Sequence, residues 1–110
     1  MTLFISDEEV ERALDYLRDN AGEAAAARAR RIYVEEYRKT VKAQIMQEHD
    51  DESGIVQERE AYADKRYVTH LDAIREAVEA DEKHRFLRVA AEAKIEAWRS
   101  ASANFRGMKI

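Results

Sequence analysis

The C-terminal part of the chain is an unbroken helix-forming segment. From about residue 64 to residue 105 it contains neither proline nor glycine, and apolar side chains recur at helical spacing. At about 1.5 Å per residue, a helix over these roughly forty residues would be about 60 Å long. A chain of 110 residues that spends over a third of its length on one helix has little left for an enclosed catalytic pocket. The segment therefore predicts an elongated helical protein that needs partners along its long helix.

The composition favours an all-α fold and leaves several classes of function without the residues they need. Ala, Glu, Lys, Leu and Arg dominate, proline is absent and there are only three glycines, which is typical of long helices and coiled coils. The chain has no cysteine, so disulfides and thiolate metal sites are excluded. No apolar stretch has the length of a signal peptide or a membrane span. The net charge of -4 gives no general attraction to nucleic acid. We therefore expect a cytoplasmic protein without a membrane association.

Four helices are predicted, all within one domain. Ser6 and Glu9 fit a capping box at the start of the first helix, and the Asn20–Gly22 segment gives a stop signal for its end. Acidic and small residues at 49–54 favour a turn, after which Ser53 can cap a short helix. The predicted bounds are 6–19, 23–48, 55–63 and 64–105 for the helices, 49–54 for the turn and 106–110 for a tail.

The second helix and the long helix are predicted to form an antiparallel hairpin. The second helix carries an apolar seam that includes Val34, Val41 and Ile45. Folding across the 49–63 connection places Ile45 near the mid-60s of the long helix. The long helix then extends beyond the second helix from about Ala91 onward. Either the first helix folds back over this overhang, or a second chain covers it.

The overhang has a wide apolar surface made of two stripes at helical spacing. One stripe consists of Leu87, Ala91, Ile95 and Trp98, and the other of Phe86, Ala90, Ala93 and Ala97. An apolar surface of this width contacts more than one neighbour. We therefore favour a homodimer, in which the overhangs pack together or onto the first helix of the other chain. The candidate interface residues are Phe86, Leu87, Ala91, Ile95, Trp98 and Phe105.

A basic run on the second helix has two interpretations. Its cations could contact phosphate groups, or they could pair with acidic residues at matching heights on the long helix. We favour ion pairing, because complementary charge of this kind fixes the register of a hairpin. The cations are Arg28, Arg30, Arg31, Arg38, Lys39 and Lys42, and the acidic residues are Asp72, Glu76, Glu79, Asp81 and Glu82.

The C-terminal stretch mixes basic, aromatic and hydroxyl side chains, as nucleic-acid surfaces do. Trp98 and Phe105, however, lie seven residues apart on one apolar stripe, which favours a role in the core or in a dimer interface. Docking of another protein is a further interpretation. The candidate contacts for the alternative of nucleic-acid binding are Arg28, Arg31, Arg38, Lys39, Lys42, Lys94, Arg99 and Arg106.

No set of residues identifies a reaction. No Ser, Thr or Tyr is recognisably placed beside a base to act as a nucleophile, and the glycines are isolated rather than grouped in a phosphate-binding loop. His70 and His84 would lie about 20 Å apart along a helix, too far to share a metal. The acidic turn at 48–52 lacks the spacing of a calcium loop. We expect no enzymatic activity, no catalytic residues, no cofactor and no metal site.

Two stretches of the chain carry a resemblance to a group of proteins. They are YVEEYRKTVKAQIM in the second helix and AAEAKIEAWRSASANFRGMKI at the C-terminal end. Together they resemble small uncharacterised proteins of tailed phages and prophages, in which a lysine-bearing helix precedes a long helix with an AKIEAWR-like end and a polar, Arg-containing tail. The matching positions here are Lys39, Lys42, residues 93–99, Asn104 and Arg106. The resemblance implies a protein of the host cytoplasm that serves DNA replication or recombination, and it brings no catalytic residues.

The sequence thus predicts an all-α, elongated antiparallel helical hairpin with a short N-terminal helix and one very long C-terminal helix, completed by dimerisation. The expected function is non-enzymatic binding and assembly: the protein self-associates and docks a protein partner, as a phage accessory factor would. The alternative is a nucleic-acid-binding accessory protein of phage replication or recombination. A structural component of the virion is a third hypothesis.

Overall fold

Four α-helices make up the fold, and the part of the chain that the structure describes contains no β-strand. The computed structural model describes residues 4–108. Its helices are α1, Asp7–Asp19; α2, Ala21–Gln47; α3, Gly54–Ala63; and α4, Lys65–Met108. The predicted all-α fold with a long C-terminal helix is confirmed. None of the described helices has a stretch that is long and apolar enough to cross a membrane.

Serine side chains begin α1 and α3. The Ser6 hydroxyl accepts a hydrogen bond from the Glu9 N–H at 3.1 Å, in the position that the capping-box pattern predicts. The Ser53 hydroxyl accepts one from the Val56 N–H at 3.3 Å. Each serine satisfies an N–H group of the first turn that has no partner within the helix, so both helices begin where the sequence places a capping residue.

The boundary between α1 and α2 differs from the predicted one. Asn20 alone separates the two helices: its side-chain amide donates to the Tyr16 carbonyl at 3.1 Å, and its own carbonyl accepts from the Ala24 N–H at 2.9 Å. The stop predicted at residues 20–22 therefore falls on Asn20, the C-cap of α1, whereas Gly22 lies within α2 and has no positive φ. Asn20 thus caps the C-terminal end of α1 and accepts the first hydrogen bond of α2, so α2 begins at Ala21 rather than at residue 23.

The end of α4 also differs from the prediction. The helix continues to Met108, so it includes the first three residues of the predicted tail. Gly107 lies within it without a positive φ, and the chain has no proline that would stop a helix. Residues 109–110 of the predicted tail lie outside the described part of the chain.

The described residues pack as two units. The first unit contains residues 4–25 and 83–108, and therefore α1 with the C-terminal part of α4. The second unit is Ala26–Glu82 and contains most of α2, all of α3 and the first part of α4. Each unit has buried apolar residues of its own.

The core of the second unit joins one residue from each of its helices. Ile45 of α2 is 1% exposed, and it clusters with Ala61 of α3 and Tyr67 of α4. Val41 and Met46 pack against this cluster. The contact of Ile45 with Tyr67 agrees with the predicted register, which placed Ile45 near the mid-60s. α2 and the first part of α4 therefore form the antiparallel hairpin that the apolar spacing indicates.

Ion pairs join the ends of the helices in the second unit. The Arg66 guanidinium donates to both oxygens of the Glu48 carboxylate, at 2.7 and 2.9 Å, and to Asp64 at 3.0 Å. These hydrogen bonds favour the ionised acids. They lower the pKa of the Glu48 carboxyl, and they lower the pKa of Asp64 from 3.8 to about 2.

Acid is expected to weaken the second unit through these two carboxylates. Their pKa values are lower in the folded protein than in the unfolded chain. Their contribution to stability is therefore complete above the unfolded values, near pH 4, and is lost as the pH falls through the folded values. In Arg66→Gln both carboxylates lose their cation. We expect its melting temperature to fall less than that of the parent protein between about pH 5 and about pH 2.

The control for this measurement is Arg59→Gln, which removes an exposed cation of α3 that forms no ion pair with the described residues. It should keep the acid dependence of the parent protein. An acid-induced loss of melting temperature that is the same in Arg66→Gln and the parent would contradict the role of Arg66.

Candidate binding surface

One apolar stripe of α4 packs against α1 in the first unit. We call it the inner face; it consists of Leu87, Ala91, Ile95 and Trp98. Val10 and Ala13 of α1 and Ala91 of α4 are each only 6% exposed. The two helices border a shallow groove of about 200 Å³, to which α1 contributes Ala13, and α4 contributes Leu87 and Ala91 together with Ala90 and Lys94 at its edge. The first helix therefore folds back over the inner face, which is one of the two arrangements that the sequence leaves open.

Trp98 is tied to α1 by a hydrogen bond. Its indole N–H donates to the Asp7 carboxylate at 2.7 Å, and the residue is half-buried. A partly buried indole needs a partner for its N–H, and the carboxylate of Asp7 also lies in the first turn of α1, where negative charge is favourable. The sequence gives no signal for this pair, because Asp7 and Trp98 are 91 residues apart. Trp98 thus has a packing role within its own chain.

The second apolar stripe of α4 is exposed. We call it the outer face; it consists of Phe86, Val89, Ala90, Ala93 and Ala97, all of which are exposed in the described structure. Phe86 is 61% exposed and Val89 is 49% exposed. The Arg85 guanidinium lies 4.6 Å from the centre of the Phe86 ring, so the ring touches a long side chain of its own helix. Contiguous exposed apolar surface of this kind is typical of an interaction site.

The residues predicted to form one interface are thus distributed over three places. Ala91, Ile95 and Trp98 lie on the inner face and are buried or half-buried, whereas Phe86 lies on the outer face. Leu87, at 42% exposed, belongs to the border of the inner face. Phe105 is 58% exposed and lies near the end of α4, where it lines a groove of about 750 Å³ with Phe4 and Trp98.

Sequence reasoning recognised the outer stripe but left most of its members out of the candidate interface. Ala93 and Ala97 belong to that stripe, and Val89 lies beside it. The signal that identifies them is their spacing from Phe86. The two alanines were not chosen as interface residues, because an alanine surface on a helix is equally typical of a face exposed to solvent.

Arg31 forms ion pairs across the hairpin. This agrees with the interpretation in which the basic run pairs with acidic residues. Its guanidinium donates to Glu35 at 2.9 Å, to Asp81 at 3.1 Å and to Glu82 at 3.2 Å. These hydrogen bonds raise the pKa of Arg31 above its usual value, and the one to Glu35 has the largest effect. A cation that is shared among three carboxylates has little capacity left for a phosphate group.

Lys42 is also paired, but with a helix that the prediction did not consider. Its ammonium group donates to Glu58 of α3 at 2.8 Å and to the Tyr62 hydroxyl at 2.9 Å, and it lies 4.6 Å from the centre of the Tyr62 ring. The hydrogen bond to Glu58 is the largest cause of the raised pKa of Lys42. Asp81 and Glu82 are the acidic residues of α4 that pair with the basic run in the described part of the chain, both with Arg31, whereas α3 supplies the carboxylate for Lys42.

The other candidate nucleic-acid contacts are exposed. Lys39 pairs with Glu36 at 3.0 Å and Arg99 with Glu96 at 2.9 Å, each within its own helix. Within the described part of the chain, four of the candidates form no ion pair: Arg28, Arg38, Lys94 and Arg106. These four are divided between the two units.

No three His, Asp or Glu side chains come close enough to hold a metal ion among the described residues. His70 Nε2 lies 2.6 Å from the Val34 carbonyl oxygen, and the ring packs against Tyr37. His70 is therefore used in the hairpin. His84 Nδ1 is buried and has no hydrogen-bond partner in the described structure.

Comparison of the chain with protein-family models, with curated proteins and with solved structures finds no match. The resemblance to small phage proteins therefore stays a prediction from the sequence.

Shortening Trp98 is expected to loosen α1 from α4. Trp98→Ala removes apolar contact on the inner face together with the hydrogen bond to Asp7, and we expect it to lower the free energy of unfolding by about 2 kcal/mol, because the residue is only half-buried. Trp98→Phe is the matched control. It keeps most of the apolar contact and should lose only about 1 kcal/mol, the size of one hydrogen bond.

Urea unfolding monitored by circular dichroism measures both variants. If Trp98→Ala unfolds at the same urea concentration as the parent protein, the indole does not hold α1 against α4, and the assignment of Trp98 to the intrachain contact is wrong.

Proposed function

We propose that this protein is a non-enzymatic helical binding and assembly protein that self-associates through the outer face of α4. The observation that supports the proposal is the difference between the two faces of this helix. α1 covers the inner face, where Ala91 is 6% exposed, while Phe86 on the outer face is 61% exposed. A helix that is apolar on two sides needs two neighbours, and the first unit provides one.

The shape of the outer face favours another helix as the partner. Ala90, Ala93 and Ala97 have short side chains, so a second helix can approach α4 closely, near the lower end of the usual spacing of about 8–10 Å between helix axes. Phe86 projects from the same stripe and can fill a space between side chains of the partner. Charged residues such as Lys94 and Glu96 border the apolar centre, as they do in the rim of a protein interface.

The proposal extends to a protein partner and to a biological setting. The assembled protein would still expose much of Phe4 and Phe105 beside the groove at the end of α4, and the exposed parts of these rings would form a surface for another protein. A role as a phage accessory factor in the host cytoplasm rests on the sequence resemblance alone.

Nucleic-acid binding is the less favoured alternative. Arg31 and Lys42, two central members of the basic run, are paired with carboxylates inside the second unit. The four candidates that form no ion pair with the described residues are divided between the two units, and the net charge of -4 opposes an approach to DNA.

A charge on the outer face is expected to separate the copies. Ala93→Glu places a carboxylate in the middle of the face, where association would bury it without a partner. We expect the parent protein to have the molar mass of a dimer at micromolar concentrations, and Ala93→Glu to have that of a monomer with unchanged helix content. Light scattering and circular dichroism measure the two properties. Ala43→Glu, an exposed position of α2, adds the same charge elsewhere and should leave the dimer intact.

A parent protein that stays monomeric at these concentrations would contradict self-association. The same proteins can be titrated with duplex DNA at low salt. DNA binding that persists in Ala93→Glu and is abolished by replacing Arg28 and Arg38 would support the alternative.

A further inference from the structure

We infer that the occupant of the outer face is the outer face of a second copy, packed antiparallel about a two-fold axis near the level of Ala91. This inference rests on the proposed self-association and adds which residues meet. It depends on two pairs of residues that have the same spacing along α4, one matched in size and one matched in charge.

The first pair is Phe86 and Ala97, the largest residue of the outer face and one of its smallest. They are eleven residues apart, so they lie on one stripe about 16 Å apart along the helix. In a two-fold symmetric interface the same patch must complement itself. An antiparallel arrangement centred midway between them places Phe86 of each copy over Ala97 of the other. Ala90, which also lines the edge of the groove between α4 and α1, then meets Ala93 of the second copy, so these two layers combine side chains that fit.

The second pair is Arg85 and Glu96, which are also eleven residues apart and lie on the same flank of the stripe. In an antiparallel pair of helices, equal flanks face each other. The arrangement that seats Phe86 over Ala97 places Arg85 of each copy two residues, or about 3 Å, along the axis from Glu96 of the other, a distance that the long Arg85 side chain can span. Both residues are exposed, and the Glu96 side chain, which pairs with Arg99, is still 62% exposed. Two symmetric ion pairs would thus border the apolar contact.

A parallel arrangement fits the same face less well. It would bring Lys94 near Glu96 of the second copy, but it would also place Lys83 beside Lys83 in the contact and Phe86 beside Phe86. Two large rings at one level would hold the helices apart at the levels of the alanines. The like charges of Lys83 would oppose association at the adjacent turn.

Disulfide formation tests the arrangement, because the chain has no cysteine of its own. The antiparallel pairing brings Lys83 of one copy opposite Ser100 of the other, since the two positions lie equally far from the midpoint between Phe86 and Ala97. Lys83→Cys and Ser100→Cys proteins, one of them labelled with 15N, are mixed and oxidised, and mass spectrometry identifies the disulfides. A disulfide needs Cα atoms within about 7 Å of each other. We expect the mixed disulfide to exceed either disulfide between identical copies by about tenfold or more, because two positions seventeen residues apart are about 25 Å apart along a helix.

A charge exchange provides a second test. Arg85→Glu and Glu96→Arg should each weaken dimerisation by about tenfold, since two-fold symmetry makes each substitution act on two pairs. The double variant should recover the affinity of the parent protein. Arg88→Glu, which alters an exposed cation outside the outer face, is the control and should change the affinity little.

The possible outcomes separate this inference from the proposed function. Disulfides between identical copies, or no disulfide in a protein that remains dimeric, would overturn the antiparallel pairing and leave self-association standing. If the double variant does not recover the affinity of the parent protein, the proposed contact between Arg85 and Glu96 is wrong. A parent protein of monomeric mass would overturn both proposals.

Discussion

An α-helix can bury an apolar stripe only against a neighbour, and this requirement decides how α4 is used. The helix runs from Lys65 to Met108 without a break. In the second unit a single apolar side meets α2 and α3, around Ile45, Ala61 and Tyr67. In the first unit α4 has two apolar sides and one neighbour, α1. The inner face obtains its cover within the chain, and the proposed assembly supplies the cover for the outer face.

A few charged residues of the second unit hold its helices in register. Arg31 joins α2 to Asp81 and Glu82 of α4, and Lys42 joins α2 to α3 through Glu58. Exposed ion pairs contribute little stability individually, but pairs at defined heights exclude competing registers of a hairpin. This use occupies Arg31 and Lys42, two of the six cations in the basic run. It also makes the basic run a poor guide to nucleic-acid binding.

Local signals made much of the fold predictable from the sequence. Ser6 and Ser53 cap helices as their positions indicate, and the spacing of apolar residues placed Ile45 in the register that brings it to Tyr67. The stop signal at residues 20–22 ends α1 at Asp19 as predicted, but Asn20 alone supplies the cap, and Gly22 has no positive φ because it already lies in α2.

Long-range features were harder to predict. The inner face of α4 could have been covered by α1 or by a second chain, since both would bury the same residues. The hydrogen bond between Asp7 and Trp98 shows that α1 covers this face. Neither the separation of the two residues in the sequence nor their types predict this bond. The partner of Lys42 was missed for a related reason: the register of α2 against α4 says nothing about where α3 places Glu58.

The proposed division of α4 into a face covered by its own chain and a face covered by another copy can be measured directly at the alanine methyl groups. NMR spectra of methyl-labelled protein at micromolar concentrations, with and without a soluble paramagnetic compound, report which methyl groups solvent reaches. The account predicts that Ala93 and Ala97 are protected as strongly as Ala91, while Ala43 on the exposed side of α2 is broadened. Broadening of Ala93 and Ala97 to the same extent as Ala43 would show that the outer face is open to solvent, and would contradict the account.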